Sequence, residues 1–306
     1  MDIDSLWEEI ERLKSENKAL KEEIEDLNIL NQNISDHNTF IESELQDTIL
    51  KIEKANRDIT NSVQYASKIQ AAILPSLIEI KTYLPQSFVY YNCKDVVSGD
   101  FFWFFHKENE TIIAAVDCTG HGVPGAFMSF VGFMLLNEII IQNNISKPSE
   151  ILGHLDVNLI KTLKQHNSKK AYEGMDIAIC NLNTDLNIMQ YAAAYRPLLL
   201  YRSGELFEYK ADRFPIGGHP IYKDKVFTNN IIELQKDDTF YIFSDGITDQ
   251  CNTEGKKYTT KKLREFLHEI QNNSIDIQRI KLEQEFNLWK GSESQLDDVL
   301  MIGIRI

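Results

Sequence analysis

Hydrophobic positions along this chain follow two different periods, and the change falls near Pro75. Before it, apolar residues recur at every seventh position along two seams. Ile3, Ile10, Ile24, Ile52 and Ile59 occupy one seam, and Leu6, Leu13, Leu20 and Leu27 occupy the other. Ile at the first position with Leu at the second favours a parallel two-stranded coil, and Asn17, Asn31 and Asn38 within the seam specify register at a cost in stability. In such a pair Glu9 of one strand faces Lys14 of the other, and Glu16 faces Lys21. The alternative is a single amphipathic helix folded back on its own domain, but no Pro or Gly interrupts residues 1–74. The register continues through Ala66, Ile69 and Ile73, which predicts a connecting helix Ser62–Leu74 ended by Pro75. Asn, Gln, Asp and His crowd residues 28–38, and a fray or bend is expected there.

From Ser87 onward the apolar runs shorten to strand length: Phe88–Asn92, Phe101–Phe105, Thr111–Val116, Ile177–Leu182, Ile188–Ala193, Leu198–Tyr201, Thr239–Phe243 and Val299–Ile306. Many are apolar on both faces, as strands covered on both sides must be. Asn183-Thr184-Asp185 and Ser203-Gly204 mark turns between neighbouring strands. Helical spacing falls at Gly125–Gln142, Ser149–Gln165, Thr260–Gln271 and Ile275–Trp289. This order predicts an α+β fold in which two packed, mainly antiparallel sheets are flanked by helices, an αββα sandwich preceded by the long coiled-coil helix. The chain then divides into a coiled-coil dimerisation helix (1–61), a connecting helix (62–75) and a sandwich domain (76–306). Gly125, Ser129 and Gly132 share one helical face, so that helix should press closely on the sheet.

Four acids stand where these apolar runs begin or end: Asp100, Asp117, Asp245 and Asp297. An isolated carboxylate at the mouth of a buried strand is too costly to leave unpaired, so it must be paired, protonated or metal-bound. Four of them suggest one shared site for a hard cation, since Mg²⁺ and Mn²⁺ prefer oxygen ligands. The segments that carry them are Ser98-Gly99-Asp100-Phe101-Phe102-Trp103, Val116-Asp117-Cys118-Thr119-Gly120-His121-Gly122-Val123-Pro124-Gly125-Ala126, Gly174-Met175-Asp176-Ile177-Ala178, Ser244-Asp245-Gly246-Ile247-Thr248-Asp249 and Asp297-Asp298-Val299. In that order and at those intervals, they resemble the PPM-type metal-dependent serine/threonine protein phosphatases, specifically the bacterial SpoIIE/RsbU branch. The resemblance covers roughly Val63 to Ile306 and implies the same αββα sandwich.

The resemblance further implies two Mn²⁺ or Mg²⁺ ions. Asp117 would bridge both, the Cys118 carbonyl would complete one of them, Asp100 would bind directly or through water, and Asp245 and Asp297 would hold the other. Asp117 and Asp245 would thus be catalytic. His121 has two readings: it protonates the leaving serine oxygen, or it fixes the turn. Asp176 and Asp249 could support a further metal or serve as solvated, supporting acids. Asp298 is expected to orient the Asp297 loop. Many relatives carry Asn-Pro where this chain has Arg196-Pro197; the arginine could contact phosphate, but a surface position is the expectation. The implied substrate is a phosphorylated regulator of the STAS, anti-sigma-antagonist type.

Composition narrows the alternatives. The 306 residues carry a net charge of −14, and residues 1–75 hold 16 acids against 8 Lys and Arg, which is −8 of that total. Such a chain does not suit nucleic acid, whose phosphates need a basic surface. Cys93, Cys118, Cys180 and Cys251 are scattered and form no Cys-x-x-Cys pair, which reads as reduced thiols in a cytosol. The residues after Met1 have no signal-peptide pattern. Gly122–Asn137 is apolar but too short to span a bilayer, so a cytoplasmic protein without membrane insertion is expected. A cysteine phosphatase is rejected because no Cys-x₅-Arg loop occurs: residue 124 is Pro. A nucleotide cyclase would need an acid at the fourth place of Ser98–Phe102, which is Phe101, and a histidine kinase would need a glycine-rich lid, which does not follow. A non-catalytic coiled-coil adaptor with a phosphatase-like fold is the remaining alternative, and retention of all four acids argues against it.

Overall fold

The computed structural model describes residues 2–165, 172–218 and 225–306. The chain divides into two compact units, Met1–Ser62 and Val63–Ile306, and the boundary falls inside helix α1 (Ile3–Ile73). α1 ends two residues before Pro75, whose ring and missing N–H forbid continuation. It runs unbroken through residues 28–38, so the expected fray is absent. Along the first unit the seam residues are exposed; Leu20 is 56% and Ile59 62% accessible. Charges pair along the same helix, Arg12 with Glu9 at 3.0 Å and Lys14 with Glu11 at 2.9 Å.

The second unit is a two-sheet sandwich. One sheet runs β1 (Ser87–Asn92), β11 (Val299–Arg305), β10 (Thr239–Phe243), β6 (Leu198–Arg202), β7 (Glu205–Tyr209). The other runs β2 (Phe101–Lys107), β3 (Glu110–Cys118), β4 (Gly174–Asn183), β5 (Ile188–Ala194), β9 (Asn230–Glu233), with β8 (Ile216–Gly217) beside β4. Every named pair is antiparallel. Helices α3 (Gly122–Leu136) and α4 (Pro148–Thr162) cover the second sheet, and α6 (Thr259–Ile270) and α7 (Ile275–Lys290) cover the first. The αββα expectation therefore holds. Strand alternation sorts the core into three layers. On β3, Ile112, Ala114 and Val116 meet α3 and α4, while Ile113 and Ala115 meet the opposite sheet. Such period-two burial on both faces is why these strands read as continuous apolar runs.

The elements that composition concealed are small or edge-exposed. β7 presents Glu-Leu-Phe-Glu-Tyr with four exposed positions, and α2 (Leu77–Tyr83) is only 7 residues long. The apolar helix ends at Gln142 as its spacing suggested, but it starts three residues earlier, at Gly122, is 21 residues long, and closes in a π-helical turn, Asn137–Gln142. By length and composition alone it is long enough to cross a membrane. Yet Met128, Leu135, Leu136, Ile139 and Ile140 lie in the sandwich core, which accounts for its apolar character. Its Gly132 meets Phe101 and Met175, so a Cβ there would come within 3.0 Å of both side chains.

Candidate active site

Strand parity brings the acids together. Phe102 and Phe104 on β2, Ile113 and Ala115 on β3, and Ala178 and Cys180 on β4 all face the layer between the sheets. The same alternation assigns Asp100, Asp117 and Asp176 to that layer at its open end. Asp117 is paired directly with Asp176 in the β3–β4 register. Phe101 opposes Val116, so Asp100 and Asp117 are next along the β2–β3 ladder. In the other sheet, Asp245 follows β10 and opens the short helix α5 (Gly246–Asp249), while Asp297 and Asp298 precede β11. Those two strands are antiparallel, with Phe243 opposite Met301, so their acids share one end. The Asp245 N–H bridges the two sheets by donating to Asp117 Oδ2 at 3.4 Å.

Arg196 occupies the centre. Its Nη2 lies 3.0 Å from Asp117 Oδ2, 2.6 Å from Asp176 Oδ2 and 2.9 Å from Asp245 Oδ2. The side chain is only 16% exposed, so the expected surface position is wrong. The signal available in sequence was a lone cation between two buried runs, Ile188–Ala194 and Leu198–Arg202. Its backbone is fixed on both sides. The Arg196 N–H donates to the Ala194 carbonyl, and its own carbonyl accepts the Tyr191 hydroxyl at 2.7 Å.

A single guanidinium does not balance this cluster. Burial pushes Asp117 up to about 7, with Arg196 opposing and Asp245 and Asp176 reinforcing. Burial also raises Asp176 and Asp297, and it raises Asp100 well above the usual carboxylate range, helped by Asp117. Asp100 Oδ2 is buried without a hydrogen-bond partner. Such an orphan oxygen is expensive unless something cationic or a donor meets it.

The loop carrying Asp100 is clamped from three directions. Asp298 is the first clamp, accepting the Lys94 N–H at 2.8 Å and the Gly99 N–H at 2.7 Å. It thus secures the Asp100 loop rather than only its own neighbour. Gln70, the one buried residue of α1, is the second. Its amide donates to the Ser98 carbonyl at 2.7 Å and accepts the Ser98 N–H at 3.0 Å. The third is backbone contact with the turn after Cys118: a Cβ on Gly99 would fall 2.4 Å from the Gly120 carbonyl oxygen. No side chain fits there, which explains the glycine. Gly246 is equally constrained, 1.9 Å by the same measure from the Asp298 carbonyl oxygen. The sequence offered no marker for Gln70 beyond a polar residue in an apolar stripe.

The other predicted residues divide. Cys118 ends β3 with a buried thiol, whose pKa burial and the acids raise well above the ordinary value. It is thus a protonated, inert thiol, consistent with rejecting cysteine chemistry. His121 stands apart from the acids: its Nδ1 is 2.8 Å from Asp95 and its Nε2 is 3.0 Å from the Lys94 ammonium. An ammonium can only donate, so Nε2 accepts and Nδ1–H donates to Asp95. Asp249 pairs with Lys257 at 2.9 Å and is 48% exposed, so it lies outside the Arg196 cluster. Asp297 is half-buried and accepts the Asp298 N–H.

Among the described residues no three acidic, His or Cys side chains stand ready as a cation cage; the Arg196 guanidinium stands among the carboxylates instead. The donor set nevertheless fits hard cations, being carboxylate oxygens with one buried oxygen unmet. A family described as Stage II sporulation protein E (SpoIIE) matches residues 107–306. The chain belongs to the SpoIIE family. It is 23% identical over 248 residues to the phosphoserine phosphatase RsbU of Bacillus subtilis, covering 76% of this chain and 70% of that protein. The SiaA PP2C domain of Pseudomonas aeruginosa has the same fold, with a TM-score of 0.75 and 27% identity over 82% of this chain and 98% of that one. The phosphatase domain of B. subtilis SpoIIE, with a regulatory fragment, gives a TM-score of 0.59 at 18% identity, covering 72% and 61%. This SpoIIE-family chain is thus a phosphatase of the PP2C type, a metal-dependent class of protein serine/threonine phosphatases.

Proposed function

We propose that this SpoIIE-family phosphatase removes phosphate from phosphoserine or phosphothreonine on a small protein regulator of the STAS, anti-sigma-antagonist type, in bacterial signalling. The observation that carries the reading is the meeting of Asp117, Asp176 and Asp245 from three separate strand ends. The RsbU relative's action on phosphoserine supports the substrate class. Two Mn²⁺ or Mg²⁺ ions would be held by Asp117, Asp245 and Asp297, with Asp100 and the Cys118 carbonyl alongside. When bound, such a pair supplies an activated water at neutral pH and offsets charge on the phosphoryl oxygens. Phosphate monoesters need that help, since their hydrolysis must be accelerated by up to ~10²¹-fold.

The chain's own residues then fix geometry. Gln70 and Asp298 hold the segment that aims Asp100. The Asp245 N–H keeps Asp117 oriented across the sheets. His121 points its Nε2 at the Lys94 ammonium and its Nδ1 at Asp95, not at the acids around Arg196. We therefore assign His121 to fixing the turn before α3 through Asp95. The test is Mn²⁺-dependent release of p-nitrophenol from its phosphate and of phosphate from a phosphoserine peptide. Outer-shell changes alone cost ~10–100-fold at metal sites, so Asp117→Asn and Asp245→Asn should each cost more than ~100-fold. Near-wild-type turnover in either variant would overturn the assignment.

The reading includes a cytoplasmic homodimer formed by the first 61 residues. It is supported by the exposed Ile and Leu seam of α1, which water alone would leave unsatisfied. Light scattering of the full chain should give twice the monomer mass, and removal of residues 1–55 should lower it. A monomer at micromolar concentration would contradict the dimer.

A further inference from the structure

We propose that Arg196 is an internal counter-ion that competes with the metal: its guanidinium holds the place between Asp117, Asp176 and Asp245, and a divalent cation must displace it to load. The inference rests on the proposed metal-dependent reading of this site. The geometry is that of a tenant, not of a fixed structural pair. One Nη2 atom serves three carboxylates within 3.0 Å. A guanidinium NH₂ has two hydrogens, so it can bond at most two of them well. Those two are Asp176 and Asp245, leaving Asp117 held by charge alone. The Arg196 Nε is buried with no partner, so the fork is not used in the bidentate manner that makes arginine pairs strong.

Charge gives the direction of exchange. Three carboxylates face one positive charge, and a dication balances them better than a monocation. The backbone at Arg196 is anchored, so displacement would ask only the long side chain to leave its carboxylates. The Tyr195 N–H donates to the Asp212 carbonyl at 2.9 Å and the Arg196 N–H to the Ala194 carbonyl at 2.8 Å. Loading therefore needs side-chain rotation only. When the competent state is a fraction of the population, apparent affinity falls by that fraction. Arg196 thus weakens metal binding while sparing the metal-free protein three unpaired, partly buried acids.

The experiment is calorimetric titration of the full-length protein with MnCl₂ alone, without substrate, together with thermal unfolding in chelator. Arg196→Met keeps the length and removes the charge. It should bind Mn²⁺ on the order of tenfold more tightly, melt at a lower temperature in chelator, and gain more from Mn²⁺ than wild type does. Lys107→Met is the control for charge alone, because it removes a cation at the opposite end of β2 from Asp100, where it meets Asn144; it should barely change the affinity. Unchanged or weaker Mn²⁺ binding by Arg196→Met overturns the exchange, and so does equal tightening by Lys107→Met. If Arg196→Met fails to fold in chelator, Arg196→Lys carries the test, with a smaller tightening expected and none overturning the proposal. Absence of Mn²⁺ binding in wild type and all variants would instead remove the metal reading itself, and the exchange with it.

Discussion

The two ends of strand β10 each bring an arginine to aspartate, and they do so in opposite ways. At the start, Asp238 is 1% exposed and meets Arg202 through Nε at 2.9 Å and Nη2 at 2.6 Å. The Gln235 N–H adds a third bond, and the Arg202 Nη2 also donates to the Glu233 carbonyl. One cation meets one anion, and both are satisfied. At the far end, Asp245 shares a single nitrogen of Arg196 with Asp117 and Asp176, and Arg196 Nε and Asp100 Oδ2 are left without partners. A balanced pair needs nothing from outside. An unbalanced one is held in deficit by the fold around it and gains from an added cation. On the proposed reading the difference separates a structural ion pair from a functional centre, although both join Arg to Asp.

The comparison breaks most visibly if the balanced pair is cut. Arg202→Ala leaves Asp238 buried without its cation, which should cost about 3 kcal/mol. In a domain this size that is a fall in Tm of roughly 6–12 °C, measurable by thermal unfolding. Mn²⁺ affinity should stay the same, because Asp238 and the acid cluster lie at opposite ends of β10. A loss of Mn²⁺ binding in this variant would deny that the two ends are separate.

A smaller effect concerns pH. The folded value of Asp117, about 7, lies above its unfolded value of about 3.9. Between these, the folded state holds a proton that the unfolded state has lost, so stability falls as pH rises through that window. Asp100, Asp176 and Asp297 are shifted the same way. In chelator, wild type should therefore lose stability relative to Asp117→Asn between about pH 4 and pH 7, and Mn²⁺ should offset the loss. A wild-type advantage that grew through the same window would show that the acids are already balanced without metal.

Much of this was legible in the residues, and the reasons differ by element. Strands β2, β3 and β10 are apolar on both faces because each is covered on both sides, so length and composition were enough. Asp100, Asp117, Asp245 and Asp297 declared themselves by abutting those runs. Arg196 did not, because its role depends on the crossing of two sheets. Its local signal, a lone cation between two buried runs, is one that a turn arginine shares. Asp176 was legible as a candidate supporting acid, but its place directly opposite Asp117 comes only from the β3–β4 register. Gln70 was hidden in a helix whose seam drew attention, yet it grips Ser98 from 28 residues away. The edge strand β7 escaped because its exposed side chains leave no apolar run. Burial leaves a trace in composition; long-range pairing leaves none.

On the proposed reading, the acid end is kept short of positive charge so that it can take up a divalent cation. The most direct measurement is the thermal stability of Asp117→Asn against wild type at about pH 8, each in chelator and with excess Mn²⁺. Removing one carboxylate from an over-acid cluster should leave the chelated protein as stable as wild type or more so, while the Mn²⁺-induced rise in Tm is lost or strongly reduced. If Asp117→Asn instead melted well below wild type in chelator and still gained the full Mn²⁺ stabilisation, Asp117 would be a structural partner of Arg196 and not a holder of the cation.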